Sequence, residues 1–339
     1  MTTDPAPSIL LVSTKVDIAT DYVVLKLSGL GANFYRLNTE DFPLAASSSL
    51  RIGGAPGAAY WRWSPAAGQG IDLGGVRCVW FRRHRLPRMP EELEEAHAEY
   101  CLRESEWFIR GAVYSRELAS PRVAWMSHPA KIQAAESKVY QLCVARSLGF
   151  QVPDTLVSND PSEVRKFFDE KRGEVVAKPL RLGYLDYGDR QTGIFTNRVT
   201  PGELEDDLPI RLAPVIYQQL IPKLYDVRVT VVGGRLFAVA IDSQSDPAAS
   251  VDWRRTDNPD LPHSVHKLPP RLEETCLEYV AALGLKYGAI DLVLTPEGEY
   301  FFLEVNPNGQ WVWMEDKLGL PVSESIASWL FTHSRGETP

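Results

Sequence analysis

The chain has 339 residues, 44% of them hydrophobic and 24% charged, which suits large cores without staples and a division into two or three lobes. Its formal net charge of −8 argues against non-specific nucleic-acid binding, which needs a dense cationic face. Cys78, Cys101, Cys143 and Cys276 lie 23, 42 and 133 residues apart, unlike the short pairs that hold zinc, and are expected to be reduced and mostly buried.

The opening MTTDPAPS lacks the basic start and long apolar run of a secretion signal, and the apolar run that follows it is too short to span a membrane. A cytoplasmic protein with no membrane or nucleic-acid partner is expected. Residues 9–13 predict a buried parallel strand, 17–29 a helix broken by Gly29 and Gly31, and 34–37 the next strand, a β–α–β start. Residues 43–75, rich in Ala, Gly, Ser and Pro, carry short strand-like pieces. Residues 76–81 predict another buried strand, followed by the basic run Arg82, Arg83, His84, Arg85. An amphipathic helix is expected over 90–118 and a further one from 131 to 148. Strands are predicted at 174–178, 214–219, 226–232, 235–242, 289–294 and 299–305, with Gly233-Gly234 as a two-residue hairpin turn. Boundaries are placed near residue 130 and near 217–222, giving divisions 1–130, 131–216 and 217–332.

The sharpest chemistry lies late in the chain. Asp291 sits inside an apolar strand, and Glu304 and Asn306, two apart on the next strand, share a face. Pairing through the turn at 295–298 brings Asp291 opposite Glu304, an oxygen-rich set suited to Mg²⁺; the bland alternative is the solvated side of a hairpin. Lys178 ends an apolar strand, where a buried ammonium needs an anion, either a nucleotide phosphate or a structural carboxylate. Lys138, by itself, reads as an ordinary helix lysine. The bend at Gln218-Gln219-Leu220-Ile221-Pro222 offers backbone groups to an adenine edge, or is a plain loop. Asp226 and Arg228 share a strand face, either as a surface ion pair or with the arginine clamping oxyanions. Residues 181–193, polar and holding three glycines, predict a flap over phosphates, although no Walker loop is present. Arg82, Arg83 and Arg85 are candidates for contacting an acidic peptide, with a solvated basic turn as the alternative. His263-x-x-His266 reads as surface, and Trp311 and Trp313 as packing.

In this order, Lys138, Lys178, flap, hinge, Asp226-x-Arg228, Asp291 and Glu304-x-Asn306 resemble the ATP-grasp superfamily over residues 130–315. Val79-Trp80-Phe81-Arg82-Arg83, the segments 125–129, 138–142 and 152–161, and Leu303-Glu304-Val305-Asn306-Pro307-Asn308-Gly309-Gln310-Trp311 resemble the graspetide synthetases, the microviridin-type maturases of ribosomal peptides. The resemblance implies an α/β and α+β chain: an N-terminal β–α–β pre-ATP-grasp domain and two lobes gripping ATP. It implies ATP and Mg²⁺ as cofactors, with Lys138 and Lys178 on phosphates, Gln218 to Ile221 on adenine, Arg228 on the transferring phosphate and acyl group, and Asp291, Glu304 and Asn306 on the metal. Lys223 or Asp226 would reach the ribose. The flap is less glycine-dense than in many such enzymes.

The implied partner is a precursor peptide, leader plus acidic and hydroxyl-bearing core, and a homodimer is the expected assembly. The implied chemistry is phosphorylation of a carboxylate, a poor electrophile, followed by attack of a hydroxyl or amine on the acyl phosphate. Two alternatives stand beside it: an ATP-grasp ligase for small amines and carboxylates, and a non-catalytic nucleotide- or peptide-binding module.

Overall fold

The computed structural model of the chain describes residues 6–53, 59–67, 69–119, 123–181, 183–186, 191–256 and 258–336. The chain forms two compact units, residues 1–129 with 310–315 and 321–339, and residues 130–309 with 316–320. No helix among the described residues is long and apolar enough to cross a membrane.

The first unit is built on strand β1 (Ile9–Ser13), helix α1 (Ile18–Gly29), β2 (Phe34–Asn38), β3 (Ala46–Ile52), β4 (Ala59–Pro65), β5 (Ile71–Asp72), β6 (Cys78–Phe81), α2 (Glu95–Ala119) and β7 (Ala124–Met126). A parallel sheet runs β2-β1-β6-β7. Its central strands β1 and β6 are apolar on both faces, as parallel strands covered on two sides must be, whereas the edge strand β2 carries Arg36 and Asn38. Leu10, Val12 and Val79 face a core shared with Trp61, Trp63, Ile109 and Val113. The strand-like pieces expected within 43–75 form the antiparallel sheet β3-β4-β5, and its alternating Trp61 and Trp63 enter that core.

The second unit begins with α3 (Pro129–Ala135) and α4 (Lys138–Ser147). The single helix expected over 131–148 is therefore two, broken where Ser137 caps the second by accepting from the Tyr140 N–H. There follow β8 (Thr155–Ser158), α5 (Pro161–Glu170), β9 (Val175–Lys178), β10 (Gly183–Asp186), β11 (Gln191–Ile194), β12 (Asn197–Arg198), α6 (Asp207–Leu212) and β13 (Val215–Gln219). A sheet of order β12-β9-β13-β8 packs Val175 and Tyr217 on Val164 of α5 and Ile210 of α6. β10 and β11 make a separate hairpin within the stretch expected to be a flap; Leu182 and residues 187–190 of that stretch lie outside the described residues.

Next come β14 (Tyr225–Val232), β15 (Arg235–Ile241), β16 (His263–Val265), α7 (Pro270–Ala282), β17 (Tyr287–Leu294) and β18 (Tyr300–Asn306), then α8 (Val312–Leu318) and α9 (Val322–Ser334). The five strands order as β16-β15-β14-β17-β18. The expected hairpin holds: Val232 pairs Arg235 across Gly233-Gly234, and Gly233 has φ 59°, which glycine tolerates. Helix α9, assigned from sequence to the last lobe, packs on α1 within the first unit. Cys78 and Cys276 are buried, but Cys143 is exposed, so the expectation of mostly buried thiols holds for half of them.

Candidate active site

The antiparallel registers bring three charged residues into one row. Arg228 of β14 pairs Asp291 of β17, and Asp291 pairs Glu304 of β18. The pleat that sends alternate residues to opposite faces puts Asn306 on the face of Glu304. A β-bulge breaks the β17–β18 register next to Asp291, leaving Leu303 as the extra residue. Lys178, at the end of β9 and 7% exposed, donates to the Leu303 carbonyl at 3.4 Å.

Both oxygens of Glu304 carry cations. Lys138, at the first turn of α4, lies 3.1 Å from Oε2, and Arg254 donates to Oε1 at 3.2 Å. Burial alone would raise the Glu304 carboxyl, but Lys138, Arg254 and Lys178 outweigh it and hold the group down at about 2. Asp291 goes the other way: burial, helped by the Glu304 charge, outweighs Arg228 and raises it to about 6. Burial also lowers the Lys178 ammonium to about 8, against the pull of Glu304.

Arg228 lies 3.1 Å from Asp291 Oδ1 through Nε, yet neither its Nε nor its Nη1 has a hydrogen-bond partner among the described residues. A buried guanidinium with open N–H groups is costly unless an anion completes it. Gly309 closes the site beneath it. A Cβ there would stand 2.4 Å from the Ala289 Cβ and 3.4 Å from Arg228 Nη1, so only glycine fits. The turn that delivers Gly309 is local: Asn306 Oδ1 accepts from the Asn308 N–H at 2.9 Å, and the Gly309 N–H donates to the Asn306 carbonyl.

Arg254 was not anticipated. A short turn at Trp253–Arg255, capped by Asp252, carries it. Asp252 grips its guanidinium with both oxygens, each at 2.8 Å, and although burial works to raise Asp252, Arg254 holds it at about 2. The Arg228 guanidinium lies 5.5 Å from the centre of the intervening Trp253 ring. One sequence signal was available: Asp252-x-Arg254 repeats the spacing of Asp226-x-Arg228.

These groups line two adjoining cavities. The first is walled by Lys178, Asp226, Asp252, Arg254, Asp291 and Glu304. The second shares Lys178 and Leu303 and is lined by Val176, Gln218, Gln219, Leu220 and Ile221. In the second, Gln218 donates to the Thr155 hydroxyl, while the Gln219 and Leu220 N–H groups go to the carbonyls of Asp154 and Glu174. Asp226 is bonded to Lys223 at 3.0 Å and to the Ser243 hydroxyl at 2.5 Å; burial raises its carboxyl despite both. The two candidates for a ribose contact are thus paired with each other.

The donor set for a metal is oxygen throughout: two facing carboxylates and an amide on the same strand face. Among the described residues no cluster of three or more His, Cys, Asp or Glu could hold a metal by itself. Two carboxylates fit Mg²⁺, which usually takes one or two and completes its shell with water and phosphate oxygens.

The peptide-binding candidates separate. Arg83 and Arg85 are exposed, but Arg82 is 1% exposed, with Nε 3.5 Å from Asp17 and Nη2 donating to Gln310 at 3.0 Å. Arg82 is withdrawn as a surface contact, because its head group is committed inside the first unit. His263 and His266 bond Leu261 and Tyr300, and Trp311 is fully buried against Tyr22.

Residues 8–129 match the family described as the MvdD pre-ATP-grasp domain. Among solved structures, a Chryseobacterium gregarium RiPP-associated ATP-grasp ligase in complex with ADP and a leader and core peptide superposes with a TM-score of 0.87 at 29% identity, covering 96% of each chain. The macrocyclase MdnC of Microcystis aeruginosa MRC, bound with precursor peptide MdnA, gives 0.83 at 30% identity over 95% of this chain and 98% of that one. The macrocyclase MdnB of the same organism gives 0.78 at 33% identity over 96% and 99%. No curated protein sequence matches the chain. With such identity to two macrocyclases over nearly their whole lengths, and the pre-ATP-grasp module in front of the charged row, the chain belongs to the graspetide-type ATP-grasp ligases.

Proposed function

We propose that this chain uses ATP and Mg²⁺ to activate Asp or Glu side chains of a ribosomally made precursor peptide and joins them to Ser, Thr or Lys side chains of the same peptide, forming ester or amide cross-links. The observation that carries this reading is the pairing of Lys138 and Arg254 with Glu304 and of Arg228 with Asp291, two carboxylates that wall one cavity together with Lys178 and Arg254. With Lys223, which pairs with Asp226, five cations face the four carboxylates Asp226, Asp252, Asp291 and Glu304, so the site is short of negative charge and suits a polyanion. The bound ADP and peptides of the Chryseobacterium protein, and the precursor bound to MdnC, support the same pair of ligands here.

Each residue then has a task. Asp291, Glu304 and the Asn306 amide would hold Mg²⁺, whose charge would offset the negative charge that develops in phosphoryl transfer. Lys138, Lys178 and Arg254 supply fixed positive charge to the phosphates in a water-poor site, where it acts strongly. The unpartnered N–H groups of Arg228 receive the acyl and phosphoryl oxygens. The segment Gln218 to Ile221, which lines the adjoining cavity, forms the adenine side.

In the first step a substrate carboxylate oxygen takes the γ-phosphoryl group and ADP leaves. In the second a hydroxyl or amine attacks the acyl carbon, phosphate leaves and the nucleophile loses its proton. The net change is one water per bond, about 18 Da, as acyl transfer requires. Incubation with ATP, Mg²⁺ and a precursor carrying a Thr/Ser- and Glu/Asp-rich core, followed by mass spectrometry, tests it. The expected result is stepwise loss of that mass with matching ADP. An unchanged peptide, alongside ligation of a small amine to a small acid, would transfer the chain to small-molecule ligation.

A further inference from the structure

Strand β18 is an edge of its five-stranded sheet, so the backbone groups on its outer side have no neighbouring strand. Besides Lys178 on the Leu303 carbonyl, two partners come from elsewhere in the same unit. The Phe302 N–H donates to the Gln151 carbonyl at 2.8 Å. Val305 is met by the side chain of Gln141, which is 2% exposed. Gln141 Oε1 accepts from the Val305 N–H at 3.0 Å, and Nε2 donates to the Val305 carbonyl at 2.9 Å. A carboxamide offers an acceptor and two donors, so it pairs with the edge as a residue of another strand would.

The bracket is itself anchored. Nε2 also donates to the Ala135 carbonyl at 2.6 Å, and the Tyr279 hydroxyl donates to the Gln141 carbonyl at 3.2 Å. Lys138 stands three residues earlier on α4, on the same helix face. One turn of helix therefore holds two consecutive strand residues, Glu304 by charge and Val305 by its peptide groups. The grip falls just past the bulge, on the stretch where Glu304, Val305 and Asn306 pair with Asp291, Ile290 and Ala289.

We infer that Gln141 is a positioning residue, whose amide bracket on Val305 fixes Glu304 and Asn306 against Asp291 so that the three oxygens meet one divalent ion. The inference rests on the ATP- and Mg²⁺-dependent reading above. No other common side chain of this length gives a donor to the C=O and an acceptor to the N–H of one residue; methionine keeps the bulk and gives neither.

Calorimetric titration of the full chain with ADP, with Mg²⁺ and with EDTA, tests it beside thermal melts. Gln141→Met should weaken ADP binding in Mg²⁺ by about 10- to 100-fold, the usual size when a partner that orients a metal ligand is lost. Its affinity for metal-free ADP should stay close to wild type. Gln141→Leu, another apolar residue of similar size that neither donates nor accepts, carries the same comparison if the methionine variant does not fold. Tyr279→Phe removes a bond one step away and should lower the melting temperature without changing the gain from Mg²⁺. An equal gain from Mg²⁺ in wild type and the Gln141 variants would overturn the assignment, whatever their melting temperatures. Wild-type protein that gains nothing from Mg²⁺ would instead overturn the functional reading beneath it.

Discussion

Arg82–Asp17 in the first unit and Arg228–Asp291 in the second are both arginine–aspartate pairs withdrawn from water, yet they differ in what surrounds them. Asp17 also accepts from the Ser13 and Thr20 hydroxyls, and Arg82 reaches Gln310, so that pair is absorbed into packing. Arg228 instead pairs with Asp291, which walls a cavity, and three further cations stand around that acid and its neighbour Glu304. Buried charge alone does not mark a site; an imbalance of charge beside space does.

The contrast breaks if the two pairs respond alike to substitution. Glu304→Gln and Asp291→Asn should cut ATP-dependent product per folded molecule by about 100- to 1000-fold, the scale for removing one preorganised charge-stabilising group, and should also lower the melting temperature, because each leaves buried cations without their partner. Arg82→Met should leave turnover per folded molecule nearly intact and cost about 3–5 kcal/mol in denaturant unfolding, because Asp17 stays behind without its partner. Full turnover in both carboxylate variants would remove the metal assignment.

A smaller effect sharpens the comparison through pH. The ratio kcat/KM for ATP reports the free enzyme, and it should fall about tenfold per unit on either side of a plateau. As pH drops below about 6, Asp291 protonates and loses its value as a ligand; as pH rises above about 8, Lys178 loses its charge. Lys178→Arg, which stays charged throughout, should erase the alkaline limb and leave the acid one. A flat profile in the wild type would show that neither group matters.

The smallest effect belongs to the surface. Exchanging Arg83 and Arg85 for serine should raise the KM for an acidic core peptide by about two- to fivefold, less at high salt, since exposed charges contribute only about 0.2–1 kcal/mol each. The KM for ATP should not move.

Much of this was legible in the sequence. Asp291 and Glu304 were found because a short turn joins their strands, so the register that opposes them is a local property. Lys178 stood out as a charge closing an apolar run. What escaped depended on long-range closure. Arg82 read as part of a basic surface run because its partner, Asp17, is supplied by a segment 65 residues earlier. Gln141 is a polar residue at helical spacing, and nothing near it reveals that its amide meets Val305. Arg254 lies in irregular chain, where neither helical nor strand period singles out a position, and only the repeated Asp-x-Arg spacing hinted at it.

Helix α9 carries a consequence for synthesis. Its Val322, Ile326, Ala327 and Leu330 are fully buried in the first unit, against the helix and sheet formed by the opening third of the chain. On the ribosome that opening third emerges first but has to wait, with an oily face uncovered, until some 200 further residues have followed. Nascent molecules are therefore most exposed to aggregation and to chaperones during translation of the middle segment, and premature termination before residue 322 would leave that hazard permanent.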